Sequence, residues 1–142
     1  MEYLDILDSE DKVIGNATRK EVYDKKLTHR IVHVLLFSKE NKIYLQRRSE
    51  KVSYLPGYYC TSAGGHVLSG ESYEEAARRE LKEEIGIDSQ IKEIAKFDFQ
   101  LDGQNRFIKL FIANADSEIN FSDGEVASGS FYTIEEAKQL WI

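Results

Sequence analysis

Residues 65–87 read GHVLSGESYEEAARRELKEEIGI, and this stretch decides which fold and which chemistry the chain is expected to have. Its spacing is G-x5-E-x7-R-E-U-x-E-E-x-G-U, where U is an aliphatic residue, and every fixed position is filled. A chance match to so many fixed residue types in a short chain has a probability on the order of one in a million. The stretch is therefore a genuine motif.

The centre of the motif predicts a helix over residues 72–85. These residues are mostly good helix formers, and Ser72 followed by Glu75 is a capping box that satisfies N–H groups of the first turn. Gly86 suits the left-handed conformation that ends many helices. The motif is therefore expected to form a loop, a helix and a second loop.

Three carboxylates of the motif, Glu80, Glu83 and Glu84, fall on one face of that helix because they are three and four positions apart. Their like charges repel unless a counter-charge is present. A hard divalent cation such as Mg2+ prefers oxygen ligands of this kind. The alternative is a solvated glutamate-rich face, but the fixed glycines, Glu71 and Arg79 argue against it.

Length and charge narrow the function classes. The chain has 142 residues and a formal net charge of -6, which predicts one domain over residues 1–142 without a general nucleic-acid-binding surface. A single cysteine, Cys60, excludes an intramolecular disulfide and suits a reducing compartment. The acidic N-terminus does not resemble a signal peptide, and no apolar run is long enough to span a bilayer. We expect a cytoplasmic protein that does not bind membranes.

The remaining sequence predicts a mixed α/β fold. An N-terminal hairpin is expected over residues 3–17 and a short helix over 18–25, capped by Thr18. Patterning predicts further strands and a final helix, and the order does not alternate regularly, so a mixed sheet between helices is expected. The predicted strands are 31–37, 42–46, 58–63, 91–101, 107–113 and the end of 124–132, with a turn at 102–105 and a last helix at 133–141.

With this motif, the chain resembles the MutT-like Nudix hydrolases, whose fold is an α/β/α sandwich around a mixed sheet. Residues 4–22, the pair His29-Arg30 and residues 45–67 also resemble the branch nearest isopentenyl diphosphate isomerase. The resemblance implies hydrolysis of a phosphoanhydride in a nucleoside diphosphate linked to another group, with Mg2+ as cofactor and Mn2+ as a substitute. The partner would be a small-molecule diphosphate, and a homodimer is as open as a monomer.

Isomerase activity is the first alternative. The isomerases have a catalytic cysteine where this chain has Gly64, and they disrupt the motif that is intact here. His29 and His66 match two of their metal-binding histidines, but Val22 stands at the position of the third. The second alternative is a non-catalytic nucleotide or metabolite sensor, although sensors of this family tend to have damaged motifs.

The resemblance assigns roles residue by residue. Glu80, Glu83 and Glu84 match catalytic metal ligands, the Gly64 carbonyl matches a backbone ligand, and Glu80 is alternatively the residue that activates water. An ion pair between Glu71 and Arg79 would hold the loop to the helix behind the site. The glycines Gly65 and Gly86 would support the same geometry.

Residues outside the motif are candidates for the rest of the site. Glu125 is a candidate ligand or general base, with Asp123 as its competitor, although both could be turn residues beside Gly124. Arg48, Lys51 and His66 are the candidate substrate-binding residues, with a solvated strand end as the alternative for Arg48. For other residues the expectations are structural: hydrogen bonding for His29 and His33, core packing for Cys60, and either packing or base stacking for Tyr54, Tyr58 and Tyr59.

Overall fold

The computed structural model describes residues 2–48, 59–114 and 126–140, with the backbone alone at 46–48, 59–60, 126–130 and 140. The chain forms two sheets and three helices in this part. The strands are β1 Tyr3–Leu7, β2 Val13–Thr18, β3 His29–Phe37, β4 Ile43–Arg48, β5 Tyr59–Cys60, β6 Ala63–His66, β7 Ile91–Leu101, β8 Gln104–Asn114 and β9 Val126–Tyr132, and the helices are α1 Arg19–Asp24, α2 Tyr73–Ile85 and α3 Ile134–Leu140.

The main sheet is mixed, as expected. Its strand order is β5-β4-β3-β8-β7, with β6 also paired to β3 and β9 to β4. Strands β3 and β8 run parallel, whereas the other pairings are antiparallel. Along its length β3 changes partner, from β6 at Ile31–Val34 to β4 at Leu36 and Phe37. The first two residues of the motif, Gly65 and His66, therefore lie in the sheet as the end of β6.

Helix α2 covers one face of the main sheet. Alternate residues of β3, namely Val32, Val34 and Leu36, are fully buried on that face. The helix contributes to the same core cluster through Ala76, Ala77, Leu81 and Ile85. These positions recur at helical spacing and therefore form one buried stripe along the helix. The residues of the opposite stripe point away from the core.

Both ends of α2 have the caps that the sequence predicts. The Ser72 hydroxyl accepts a hydrogen bond from the Glu75 N–H at 3.1 Å, and the Glu75 carboxylate accepts one from the Ser72 N–H. Gly86 ends the helix in the left-handed region at φ 72°. The predicted helix was therefore correct to within one residue.

Several strand boundaries differ from the sequence-based expectation, among them the following three. Asp102 and Gly103 both have positive φ, 54° and 74°, which matches a two-residue type I′ turn, so β8 begins at Gln104 and the predicted turn at 102–105 was too long. Strand β3 begins at His29 because pairing with β8 extends to Arg106. The glycines at 64 and 65 lie inside a strand rather than after one, because they pair with His33 and Val32.

The N-terminal hairpin is tied to α2 by Asp11. Its carboxylate accepts hydrogen bonds from Arg30 Nε at 2.8 Å, the Tyr73 hydroxyl at 2.7 Å and Lys96 Nζ at 2.6 Å. Burial opposes ionisation of Asp11, but these three donors outweigh it and hold its pKa below the ordinary value. The hairpin therefore fixes the first residue of α2 in place.

Within the described ranges, no helix is both long enough and apolar enough to cross a bilayer.

The outer strand β7 carries large apolar side chains that are 42–48% exposed. They are Ile94, Phe97, Phe99 and Leu101.

Candidate active site

The three motif carboxylates form a row on α2 that runs from the core toward solvent. Glu84 is only 5% exposed, the side chain of Glu80 is 14% exposed, and that of Glu83 is 57% exposed. The stripe of α2 that bears them adjoins the buried stripe, as the spacing predicted. We refer to Glu80, Glu83 and Glu84 as the carboxylate row.

Arg79 lies beside this row and forms hydrogen bonds to the loop before α2, to β6 and to two members of the row. It forms the expected ion pair with Glu71, in which Nε and Nη2 donate to the two carboxylate oxygens at 2.8 and 3.0 Å. Nη1 donates to Glu80 at 2.7 Å and to Glu83 at 3.2 Å, and Nη2 also donates to the His66 carbonyl at 3.0 Å. One guanidinium therefore connects the loop before the helix, the strand β6 and the carboxylate row.

The charges of Arg79 and Glu71 stabilise one another. Hydrogen bonding to Glu71 raises the pKa of Arg79 above its ordinary value despite its partial burial. Burial opposes ionisation of Glu71, yet the bonds from Arg79 and from the Leu68 N–H keep the pKa of Glu71 below its ordinary value. Both groups stay ionised at neutral pH, so Arg79 offsets part of the repulsion within the row.

Strand β6 approaches α2 closely at its glycines. A Cβ on Gly65 would lie 2.6 Å from the Glu80 carboxylate, and one on Gly64 would lie 2.9 Å from the Val32 carbonyl. The Gly64 N–H donates to Glu84 at 2.8 Å. The glycines therefore bring the backbone of β6 against two members of the carboxylate row.

The chemistry of these donors suits a divalent cation, because all three side chains offer carboxylate oxygens. In the present conformation Glu80 and Glu83 contact Arg79, and Glu84 accepts from the Gly64 N–H. Residues 2–48, 59–114 and 126–140 contain no group of three or more acidic, histidine or cysteine side chains gathered closely enough to hold a metal ion. Binding a cation would require the carboxylates to turn from these partners.

The side chains of several predicted site residues lie outside the part of the chain that the structure describes. Arg48 ends β4, where a register shift in the β4–β9 pairing follows Arg47, and only its backbone is described. Lys51, Asp123 and Glu125 lie outside the described residues, as do Tyr54 and Tyr58. For Tyr59 and Cys60 the backbone alone is placed, in β5.

His66 ends β6 and is held by α1. Its Nε2 is hydrogen-bonded to the Tyr23 hydroxyl, and its ring lies edge-on to the Tyr23 ring at 5.6 Å. Burial, helped by the charge of Arg19, lowers the pKa of His66 to about 3, so the imidazole is neutral at pH 7. The expected hydrogen bonds of the other histidines are present, from His29 Nδ1 to the Leu27 carbonyl at 3.2 Å and between His33 Nδ1 and the Thr61 hydroxyl at 2.8 Å.

Sequence reasoning missed three residues around His29 and His66. Tyr23 stacks edge-on against both rings, Gln104 is buried next to His29, and Arg106 pairs in register with His29 on the parallel strand β8. They come from distant parts of the chain, and their residue types alone gave no signal. The parallel β3–β8 register places Gln104 and Arg106 near His29, whereas Tyr23 reaches the histidines from α1.

A pocket lies on the other flank of α2, beside its first residues. It has a volume of about 390 Å³ and includes none of the carboxylate row. Its lining includes Arg30, Tyr73, Glu93 and Lys109, whose charges are largely paired with one another or with Asp11. This pocket is therefore separate from the carboxylate row.

Comparison with known proteins agrees with this geometry. The model of the NUDIX domain family matches residues 27–142. The chain is 32% identical over 139 residues to the uncharacterized Nudix hydrolase PA4841 of Pseudomonas aeruginosa, covering 94% of this chain and 82% of the relative. It is 36% identical over 129 residues to the uncharacterized Nudix hydrolase CA_C0446 of Clostridium acetobutylicum, with 83% and 62% covered. The crystal structure of DR0079 from Deinococcus radiodurans superposes with a TM-score of 0.81 at 28% identity, covering 96% of this chain and 86% of that one.

Proposed function

Since the chain belongs to the Nudix family, a class of hydrolases acting on phosphoanhydride bonds, we propose that it is a Mg2+-dependent pyrophosphohydrolase. Its substrate would be a nucleoside diphosphate linked to another group, or a related diphosphate. The observation that carries the proposal is the carboxylate row, held by Arg79 on one side and by the backbone of β6 on the other.

The row offers ligands of graded exposure. Glu83 is the most exposed member and Glu84 the most buried, so a cation at the row would meet solvent on one side and the protein on the other. A bound Mg2+ would neutralise the phosphates and lower the pKa of an attacking water. Glu80, Glu83 and Glu84 would supply the oxygens that hold it, with the Gly64 carbonyl as a further candidate.

The supporting residues have a positioning role in this proposal. Glu71 and Arg79 would hold the helix against the loop before it, because they form a bidentate and partly buried ion pair. Arg79 Nη1 is also shared between Glu80 and Glu83. When a cation takes those carboxylates, the bidentate pair with Glu71 keeps Arg79 in place.

Glu83→Gln tests the proposal directly. This exchange removes a ligand charge but keeps the size of a side chain that is mostly exposed, so the fold should survive. We expect kcat with Mg2+ to fall by about a hundredfold or more. The assay is release of phosphate or nucleotide from a panel of nucleoside triphosphates, nucleotide sugars, ADP-ribose, dinucleoside polyphosphates and prenyl diphosphates.

The matched control is Glu74→Gln, which removes the same charge from an exposed position in the first turn of the same helix. It should keep the activity of the parent protein. Equal turnover by Glu83→Gln and the parent protein would refute the proposal. Saturable binding of a panel member without hydrolysis, with Mg2+ or Mn2+ present, would favour the sensor instead.

A further inference from the structure

Strand β7 carries a row of apolar side chains that the fold leaves exposed. Phe97, Phe99 and Leu101 are 42–45% exposed. They alternate along the strand, so their side chains share one face of the sheet. We call these three residues the apolar strip.

The backbone of β7 also has an outer side. Among the described strands, β7 ends the order of the main sheet and has β8 as its one neighbour. The two-residue turn makes Leu101 and Gln104 a hydrogen-bonded pair, so every second residue of the regular strand from Leu101 back directs its N–H and C=O toward β8. Lys96 and Asp98 lie between these residues and direct their backbone groups outward. Such an edge is a template for another strand.

The face of β7 opposite the apolar strip is polar and carries both signs of charge. Lys96 pairs in register with Lys109, and Asp98 pairs with Phe107, which belongs to the core under α2. The Lys96 side chain donates to Asp11 and is still 40% exposed, and Asp98 is exposed as well. The edge therefore presents one positive and one negative side chain two residues apart.

We propose that β7 pairs with β7 of a second copy of this chain, antiparallel about a two-fold axis at Phe97. The charges favour a second copy as the occupant, because in this register Lys96 lies opposite Asp98 of the partner subunit at both ends of the pairing. The two Phe97 side chains meet at the axis. Phe99 then lies opposite Ala95 of the partner subunit, whose small side chain leaves room for the ring.

Other registers fit the same edge less well. A shift of the pairing by one residue would place apolar side chains opposite charged ones, since side chains alternate between the two faces. An axis at Lys96 or at Asp98 would set like charges directly opposite one another. An axis at Phe99 would leave Asp98 opposite Gln100 of the partner subunit, without a counter-charge.

The extent of this contact predicts a weak dimer. The pairing of β7 with β8 shifts register between Glu93 and Ala95, so regular pairing about the axis covers residues 95–99 of each copy. It would form about four backbone hydrogen bonds and bring together apolar strips of roughly 200–300 Å2 each. An interface of this size lies at the lower end of specific complexes, and we expect a dissociation constant of about 1–100 μM.

Sedimentation velocity tests the association at concentrations from about 1 to 500 μM, which bracket the expected dissociation constant. We expect the sedimentation coefficient to rise from that of a monomer to that of a dimer and to go no further, because one pairing uses the whole edge. A monomer throughout this range, or growth beyond a dimer, would overturn the proposal.

Phe97→Lys removes the contact at the axis and sets two like charges opposite one another. The side chain is 45% exposed, so the fold should survive, which the melting temperature checks. We expect the dimer to weaken by about tenfold or more. The matched control is Ile14→Lys, at an apolar side chain of β2 that is 67% exposed, and it should leave the association unchanged. Equal weakening by both exchanges would mean that exposed apolar surface in general, and not the β7 edge, holds the copies together.

Asp98→Lys tests the charges, because it converts both predicted ion pairs into repulsions. We expect it to weaken the dimer at least several-fold. Asp88→Lys makes the same change of charge at an exposed position outside β7 and should have no effect. A dimer that tolerates Asp98→Lys as well as Asp88→Lys would rule out the axis at Phe97.

Oxidation of variants with one cysteine reports the register directly. Cys60 is first replaced by serine, so that the introduced thiol is the single one in the chain. With the axis at Phe97, the two Cα atoms of Phe97→Cys lie about 4.5 Å apart, within disulfide range, whereas those of Phe99→Cys lie about 13 Å apart. We expect linked dimers from Phe97→Cys alone. Linking of Phe99→Cys, or equal linking of both, would refute the proposed pairing.

Discussion

At the scale of single residues, Arg79 does more than its place in the motif suggests. The sequence predicted its ion pair with Glu71, because the two are fixed eight positions apart in the motif. It did not predict that the same guanidinium would also reach the His66 carbonyl and two members of the carboxylate row. Such multiple contacts depend on how the strand and the helix meet, which residue spacing along the chain does not specify.

We predict that Arg79→Lys lowers both stability and turnover. A lysine keeps the charge but has one nitrogen, so it cannot hold Glu71 through two oxygens and also reach His66 and Glu80. For this partly buried network we expect the free energy of unfolding in urea to fall by about 2–4 kcal/mol. The matched control is Arg78→Lys on the exposed side of the same helix, which should change stability by less than about 0.5 kcal/mol. A loss confined to turnover, with unchanged stability, would contradict the structural role of Arg79.

At the scale of elements, the site is a contact between a strand and a helix. The helix itself was predictable because capping, propensity and apolar spacing all agree over residues 72–86. Strand β6 was less predictable, because glycines at 64 and 65 usually indicate a loop. Its pairing with β3 overrides that local preference. The pairing matters because it places the glycine backbone of β6 in contact with Glu80 and Glu84.

Gly65→Ala therefore should damage the site more than the fold. The added Cβ would lie 2.6 Å from the Glu80 carboxylate, and that carboxylate can move only by leaving Arg79. We expect kcat/KM to fall by up to about a hundredfold, as for a misplacement of about 1 Å, with a small change in melting temperature. Gly15→Ala is the control, because a Cβ there would meet nothing within 4 Å. If both variants keep full activity, the close approach of β6 has no functional role.

At the scale of the whole molecule, the sequence predicted the mixed sheet and the order of its elements, but not which strands are neighbours. The parallel pairing of β3 with β8 joins residues far apart in the chain and has no local signature. The approach of Gln104 and Arg106 to His29 is a product of that pairing and could not be predicted for the same reason. The contacts of Asp11, which hold the start of α2, likewise join residues that are far apart in the chain.

Stability should depend on pH through His29. Burial lowers its pKa from 6.5 to about 4 in the folded protein, so the unfolded chain binds more protons between these values. The stability contributed by neutral His29 is fully present above pH 6.5 and is lost as the pH falls toward 4, by about 3 kcal/mol in total. Urea unfolding at pH 7 and pH 5 should show about 2 kcal/mol of this loss, and the difference should be smaller in His29→Asn. An equal slope in both proteins would show that other groups are responsible.

The register of β8 also bears on how the protein folds. On one side β8 joins β7 through a two-residue turn, a local contact that can form within microseconds. On its other side it pairs with β3, which requires a long loop containing the whole motif helix to close first. We expect the β7–β8 hairpin to form early and the β3–β8 ladder late. Because that ladder sets Arg106 in register with His29, the contacts around this histidine would form only after the hairpin has formed.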